Sequence, residues 1–151
     1  MNQNPTYGNP TYGNPAGNPY RQYLVNKVET ASPLMLIIML YDECIKMCEQ
    51  AKADIGSDKE SVHNKLIKAQ KIITELTVSL NMEQGGEVAE NLKALYVYLH
   101  MRLVEANIEN NPDKVDEVLR IMRDLREAWH TVNQENRKII LQQSGGLNTY
   151  T

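Results

Sequence analysis

The sequence lacks the features that mark several common classes of protein. Its formal net charge is −3 at pH 7, so it has no excess of basic side chains of the kind that holds nucleic acid or an anionic membrane. No stretch approaches the roughly eighteen consecutive apolar residues of a membrane-spanning helix, and the first residues have neither the basic nor the apolar region of a secretion signal. These absences predict a soluble, cytoplasmic protein that inserts into no membrane and binds no nucleic acid.

Motifs for catalysis and metal binding are also scarce. The sequence contains no Walker phosphate loop, no Gly-x-Gly-x-x-Gly dinucleotide motif and no Gly-x-Ser-x-Gly nucleophile motif. Cys44 and Cys48 are one turn apart on a predicted helix, where they share a face and are poorly placed to form a disulfide bond. No second cysteine pair or nearby histidine completes a zinc site. We therefore expect two reduced core thiols, no cofactor, no metal and no enzymatic activity.

Two Glu-x-x-His pairs leave one metal-based alternative open. Glu60 with His63 and Glu127 with His130 have the spacing that di-iron helical bundles use on two of their helices. Both pairs project away from the apolar faces of their predicted helices, whereas metal ligands would have to point inward. We interpret them as capping or solvated side chains and keep a di-metal oxidase as a third functional hypothesis.

Four long helical patterns make up most of the sequence. Ser32-Pro33 and Asn111-Pro112 each place a capping residue before a proline, which favours the start of a helix, and Ser57 with Glu60 forms a capping box. Because short loops make consecutive helices antiparallel neighbours, we predict an all-α, antiparallel up-down four-helix bundle with a short extra N-terminal helical segment. The predicted long helices run from Pro33 to about Ala53, from Ser57 to about Leu80, from about Glu87 to Asn110, and from Pro112 to residue 142.

The two ends of the chain differ from this central region. NPTYG occurs twice near the start, in a low-complexity pattern of turn-forming steps with too few aliphatic side chains for a core. Ser144-Gly145-Gly146 breaks the last helical pattern. We expect a disordered tail over residues 1–17, a single helical domain over 18–142 and a flexible tail over 143–151.

The third predicted helix carries two apolar stripes, although one is enough for a helix in an ordinary bundle. The first is the predicted core face and consists of Val88, Leu92, Leu95, Leu99, Leu103 and Ala106, with Tyr96 at its edge. The second has heptad-like spacing on another side of the helix and consists of Ala94, Val97, Met101, Val104 and Ile108. Because a small domain buries one stripe per helix against its own neighbours, the second stripe predicts contact with another helix.

Three occupants of the second stripe fit this pattern: an N-terminal segment of the chain, a second copy in a weak homodimer, or a client peptide. Surplus methionines on the first long helix favour an adaptable peptide groove. We predict a client-binding surface formed by Ala94, Val97, Tyr98, Met101, Val104 and Ile108 with Met35, Ile38 and Met39. A short amphipathic segment is predicted to act as a placeholder on this surface or to contact the client, through Tyr20, Tyr23, Leu24 and Val28.

Several motifs, in order, resemble those of the flagellin-specific export chaperones, the FliS family. They are Asn18-Pro19-Tyr20 with the segment Val28 to Asp42, the segment Gly85 to Leu92 with Leu95 to Asn107, and Leu125 to Trp129. The resemblance covers the chain from Asn18 to Val132. Two features depart from the family pattern. The NPTYG repeats precede its usual start and look like a duplication of its Asn-Pro-Tyr opening, and Val97 stands where members often carry an acidic residue.

The resemblance implies a cytoplasmic helical bundle that binds the disordered C-terminal segment of flagellin. Such a protein keeps flagellin from polymerising before export and delivers it to a component of the flagellar type III export gate. A client that becomes helical only on binding loses conformational entropy, so it needs a long hydrophobic surface, which the second stripe would provide. The alternative from a different class is a homodimeric adaptor or structural bundle whose dimer seam is the second stripe.

Overall fold

The computed structural model describes residues 32–149 and the isolated positions Pro19 and Gln22, with the backbone alone at 140, 141 and 143–149. The predicted tail over 1–17 and the predicted amphipathic segment lie outside the described residues. The chain divides into two compact units, residues 1–36 and 37–151, and the second contains the four-helix bundle except for the first residues of its first helix. The helices are α1 (Pro33–Asp54), α2 (Lys59–Val78), α3 (Met82–Glu109) and α4 (Pro112–Thr149).

Two helices begin at the predicted combination of a capping residue and a proline. At the start of α1, Ser32 Oγ accepts a hydrogen bond from the backbone N–H of Met35 at 3.1 Å. At the start of α4, Asn111 Oδ1 accepts one from the backbone N–H of Asp113 at 2.9 Å. Each bond satisfies a backbone donor that has no partner inside the helix. Both predicted starts are confirmed.

The cap of α2 differs from the prediction by one residue. Asp58 is the capping residue, because its Oδ1 accepts a hydrogen bond from the backbone N–H of Ser61 at 3.0 Å. The predicted cap, Ser57, instead donates its hydroxyl to the carbonyl oxygen of Asp54 at 3.0 Å. A carboxylate at this position also interacts favourably with the positive end of the helix dipole, which explains why the aspartate is the cap.

α3 begins before the predicted residue and contains a kink. Its capping residue is Asn81, and Gly86 has φ 52° and ψ −130°, a conformation that side chains with a Cβ atom strongly disfavour. The predicted start at Glu87 therefore marks the regular part of α3 after the kink. The helix ends at Glu109, and its C-terminal cap is Asn110, whose φ of 52° and ψ of 46° place it in the left-handed region that asparagine tolerates.

Contacts between side chains establish the antiparallel order of the helices. On α1 and α4, Lys52 pairs with Asp116 at 2.6 Å and Asp42 pairs with Arg126 at 2.7 Å, so the numbers rise on one helix as they fall on the other. Corresponding contacts are Lys65–Asp54 between α2 and α1 (2.9 Å), Asn107–His63 between α3 and α2 (2.9 Å), and Lys114–Glu105 between α4 and α3 (3.1 Å). The predicted up-down four-helix bundle is confirmed.

The core is mainly apolar and contains an aromatic cluster with polar tips. The hydroxyls of Tyr41 and Tyr96 lie 2.5 Å apart, and Trp129 Nε1 donates a hydrogen bond to Tyr41 Oη at 3.1 Å. Burial raises the pKa of both tyrosines. Each polar tip has at least one hydrogen-bond partner, which lowers the cost of burying these large rings. Cys44 and Cys48 are buried free thiols, as predicted.

The buried face of α3 is rotated relative to the predicted face. Val88 was assigned to the core, but it is 67% exposed, and Ala89 is buried in its place. Tyr96 was assigned to the edge, but it is fully buried. Its ring enters the core to bring its hydroxyl to Tyr41, so the buried face is centred nearer to Tyr96 than the aliphatic residues alone indicated.

The end of α4 also differs from the prediction. Its backbone is helical to Thr149 and passes through Gly145-Gly146, whereas the sequence predicted an end at residue 142. Glycine lowers helix stability by about 1 kcal/mol relative to alanine but does not prevent the helical conformation. The predicted mobility of residues 143–151 stays a prediction.

In the part of the chain that the structure describes, no helix combines the length and apolar character required to cross a bilayer.

Candidate functional site

One side of α3 presents a row of apolar side chains to solvent. Val97 is 48% exposed, Met101 is 56% exposed and Ile108 is 76% exposed. Val104 is half-buried and Ala94 is exposed. We call this row, together with Tyr98, the outer face of α3: Ala94, Val97, Tyr98, Met101, Val104 and Ile108. A contiguous exposed apolar surface of this kind is typical of a binding site.

A groove of about 280 Å³ lies between α2 and α3, next to the outer face. We call it the α2–α3 groove, and its lining residues are Ile73, Thr74, Thr77, Val78, Tyr96, Val97, His100 and Met101. Thr74 and Thr77 donate their hydroxyl protons to carbonyl oxygens within α2, at 3.2 and 2.8 Å. Because Val97 and Met101 belong to both features, the groove and the outer face form one continuous apolar surface.

The α2 side of this groove was not predicted from the sequence. Val78 is exposed and lies outside the apolar stripe that packs α2 into the core, which is the one signal that the sequence offered. His100 was not predicted either, because a single histidine beside an apolar stripe has no distinctive spacing. Both residues become part of the site only through the packing of α2 against α3.

A charged network borders the outer face on the side of α4. The hydroxyl of Tyr98 donates a hydrogen bond to Glu117 Oε2 at 2.5 Å, and Arg102 Nε donates to Glu117 Oε1 at 2.7 Å. Arg102 also pairs with Glu105 at 3.0 Å, and its guanidinium lies 5.6 Å from the centre of the Tyr98 ring. The Tyr98 and Arg102 hydrogen bonds lower the pKa of Glu117, while the bond to Glu117 raises the pKa of Tyr98. The network fixes Tyr98 at the edge of the outer face.

Of the predicted contact residues on α1, Ile38 and Met39 belong to the same compact unit as the outer face, and neither lines the α2–α3 groove. Ile38 is 1% exposed, so its assignment to an exposed surface is corrected. It lies nearly one helical turn before the core residue Tyr41 and therefore faces the same side of α1. Met39 is half-buried and, like Ile38, does not line the α2–α3 groove. Met35 is half-buried and belongs to the unit formed by residues 1–36. The N-terminal candidates Tyr20, Tyr23, Leu24 and Val28 lie outside the described residues.

The two Glu-x-x-His pairs lie at the surface. Glu60, His63 and Glu127 are exposed and His130 is half-exposed. His63 Nδ1 lies 2.9 Å from the side-chain nitrogen of Asn107. Among the residues that the structure describes, no three histidine, cysteine, aspartate or glutamate side chains are close enough together to hold a metal ion.

The geometry of the outer face suits a helical partner. From Ala94 to Ile108 the face is roughly 21 Å long at the helical rise of about 1.5 Å per residue. An amphipathic helix with about four turns has an apolar side of the same length. Such a helix would cover the apolar row, while its polar side stays in water beside the charged border formed by Arg102 and Glu117.

Comparisons with known proteins relate this chain to one family. The profile of the family described as flagellar protein FliS matches residues 16–136. A flagellar secretion chaperone FliS of Bacillus subtilis is 41% identical over 122 residues, which are 80% of this chain and 90% of the relative. The FliS of Campylobacter jejuni is 36% identical over 115 residues, which are 76% of this chain and 90% of the relative.

A solved structure has the same fold. The crystal structure of a flagellar chaperone from bacteria matches this chain with a TM-score of 0.65 and 19% sequence identity. The match covers 77% of this chain and 95% of the other chain. It therefore includes nearly all of the solved protein.

Proposed function

This chain belongs to the FliS family, whose matched relatives are flagellar secretion chaperones, and on that premise we propose that it binds the C-terminal segment of flagellin in the cytoplasm. Binding prevents premature polymerisation, and the complex is delivered to a component of the flagellar export gate. The protein acts without catalysis. The observation that carries the proposal is the outer face of α3, an exposed apolar row continuous with the α2–α3 groove.

The chemistry of a disordered client explains why the surface is long rather than deep. A segment that becomes helical on binding loses conformational entropy, and burial of apolar area along several turns offsets that loss. An apolar side of flagellin that is covered by the chaperone is no longer available to other flagellin subunits. Occupancy alone therefore blocks polymerisation, and a competing partner at the export gate can release the client.

The floor of the binding surface is held rigid by the core. Tyr96 lines the α2–α3 groove, and its hydroxyl is hydrogen-bonded to that of Tyr41 inside the bundle. At the other edge, Glu117 holds both Tyr98 and Arg102. Because these side chains are already ordered before the client arrives, binding costs less conformational entropy and is correspondingly more favourable.

The proposal is tested by Met101→Asp and isothermal titration calorimetry with a flagellin C-terminal peptide. A carboxylate at this position is harmless in water, but it is strongly unfavourable once a client covers it. We expect binding to be abolished while circular dichroism shows a helical protein with a cooperative melt. Gln134→Asp, which adds the same charge at an exposed position on α4, is the matched control and should bind normally. Unchanged affinity in Met101→Asp, or its failure to fold, contradicts the proposal.

The same variants distinguish a client-binding surface from a dimer seam. If the outer face is the seam of a homodimeric adaptor, the wild type sediments as a dimer without peptide and Met101→Asp sediments as a monomer. If the outer face binds flagellin, the peptide changes the sedimentation of the wild type and leaves that of Met101→Asp unchanged.

A further inference from the structure

The α2–α3 groove contains a histidine, which is the residue type whose charge responds to pH changes nearest the physiological range. Among the lining residues that the structure describes, His100 is the one histidine, and the other titratable side chain, Tyr96, belongs to a residue type that ionises near pH 10. His100 is half-exposed and lies between Val97 and Met101 on one side and the α2 residues on the other. A client that covers Val97 and Met101 also covers the imidazole.

Among the described residues that line the groove, hydroxyl oxygens could accept a hydrogen bond from a neutral imidazole, but no carboxylate could pair with a charged one. The α2 side consists of Ile73, Val78 and two threonines, whose hydroxyl oxygens have lone pairs that can accept a hydrogen bond. On α2, the charged residues Lys71 and Glu75 flank the lining residues but do not line the groove.

The charged residues of α3 are also outside the groove. Lys93 is exposed and lies about two helical turns before His100. Arg102 is paired with Glu117 and Glu105 at the border with α4. Burial of an imidazolium ion in an apolar site without a carboxylate partner is costly, whereas burial of neutral imidazole costs far less.

We propose that client binding at the α2–α3 groove is linked to protons through His100, so that the complex forms with neutral imidazole and is released when His100 is protonated. This inference rests on the proposed function and adds a means of regulation to the same surface. When His100 is charged, the client must either leave the groove or bury an unpaired cation. Acidification therefore weakens binding without unfolding the chaperone.

The test compares the dissociation constant of one flagellin C-terminal peptide at about pH 8 and about pH 5.5, the range in which histidine changes charge. For the wild type we expect binding to be weaker by about tenfold at the lower pH. His100→Gln, which keeps a polar side chain without the charge change, should lose most of this difference. His63→Gln and His130→Gln are the controls and should retain it. Any pH effect from ionisable groups of the peptide itself is the same for every variant, so it cancels in the comparison between them.

A second measurement needs no variant at His100. Calorimetry of the wild type at about pH 6 in two buffers with different ionisation enthalpies should show that protons are released on binding. The inference is overturned if the wild-type affinity does not change with pH, if His100→Gln keeps the full change, or if no proton is released. These results leave the proposed function intact, whereas an absence of binding at about pH 8 defeats the proposed function itself.

Discussion

The two apolar faces of α3 have similar side chains and different neighbours. On the inner face, Leu99 and Leu103 are fully buried among residues of the other helices. On the outer face, Val97 and Met101 are about half exposed, although each lies only two residues from Leu99 along the helix. Apolar character alone therefore does not determine a role in stability. An apolar side chain stabilises the fold only where other helices of the bundle pack against it. Where none does, the side chain is free to contact a partner.

Tyr96 and Tyr98 show the same contrast in their polar groups. The hydroxyl of Tyr96 is bonded to the buried Tyr41, and burial raises its pKa. The hydroxyl of Tyr98 is bonded to Glu117 at the surface, and this negatively charged partner raises its pKa. The inner hydroxyl supports packing, whereas the outer one orients a ring at the edge of the proposed binding surface.

The largest expected effect separates the two faces by stability. Leu103→Ala removes buried methyl groups and leaves a cavity, so it should lower the free energy of unfolding by about 3 kcal/mol. Met101→Ala, the matched truncation on the outer face, should change it by less than about 0.5 kcal/mol. Urea denaturation of both variants measures this difference. Similar losses in the two variants would show that the outer face is packed in the core.

A smaller effect is expected from the tyrosine hydroxyls. Tyr41→Phe leaves Tyr96 and Trp129 without their shared partner and should cost about 1–2 kcal/mol in the free energy of unfolding at neutral pH. Tyr98→Phe, the surface counterpart, should cost less than Tyr41→Phe, because water screens the exposed bond to Glu117. Chemical denaturation at neutral pH measures the free energy of unfolding of both variants. Equal losses would show that the buried and the exposed hydroxyl do not differ in their contribution to stability.

The same variants predict a dependence on alkaline pH. Because the folded pKa values of Tyr41 and Tyr96 are raised above the unfolded value of about 10, their contribution to stability is complete below about pH 10 and is lost as the pH rises further. Stability of the wild type should therefore fall above about pH 10. Tyr41→Phe should show a shallower fall in thermal melts recorded across this range, and an unchanged slope would contradict the assignment.

The smallest expected effect concerns the NPTYG repeats. A chain that begins at Asn18 should have the same melting temperature and peptide affinity as the full chain, because the repeats offer no aliphatic side chains and their prolines lack backbone donors. A chain that begins at Ala31 should bind the peptide more tightly or self-associate, since it loses the predicted placeholder. Calorimetry and sedimentation check both truncations. Weaker binding by the first would indicate that Tyr7 and Tyr12 contact the client.

Local signals in the sequence were sufficient for the helices and most of the outer face. A cap followed by proline acts within a few residues, so the starts at Ser32-Pro33 and Asn111-Pro112 were predictable. The outer face was predictable because the spacing of Val97, Met101 and Ile108 is a property of a single helix. Adjacent capping residues are harder to distinguish, and for that reason the cap of α2 was placed one residue early.

Features that depend on packing between helices were not predictable in this way. The direction of Tyr96 is determined by the position of Tyr41 on α1, and the bond between Tyr98 and Glu117 depends on the register of α3 against α4. α1 has apolar residues at many successive positions, which do not reveal by themselves which ones face the core, so the burial of Ile38 was missed. His100 became a candidate only when its neighbours on α2 were known.

The bond from Trp129 to Tyr41 has an optical consequence. The chain contains one tryptophan, so its indole emission comes from a single site on α4. That indole donates its N–H to a buried hydroxyl on α1 and packs against the core. Separation of α4 from α1 would expose the ring to water and move its emission to longer wavelength. The molecule thus carries an intrinsic fluorescent reporter of the α1–α4 contact.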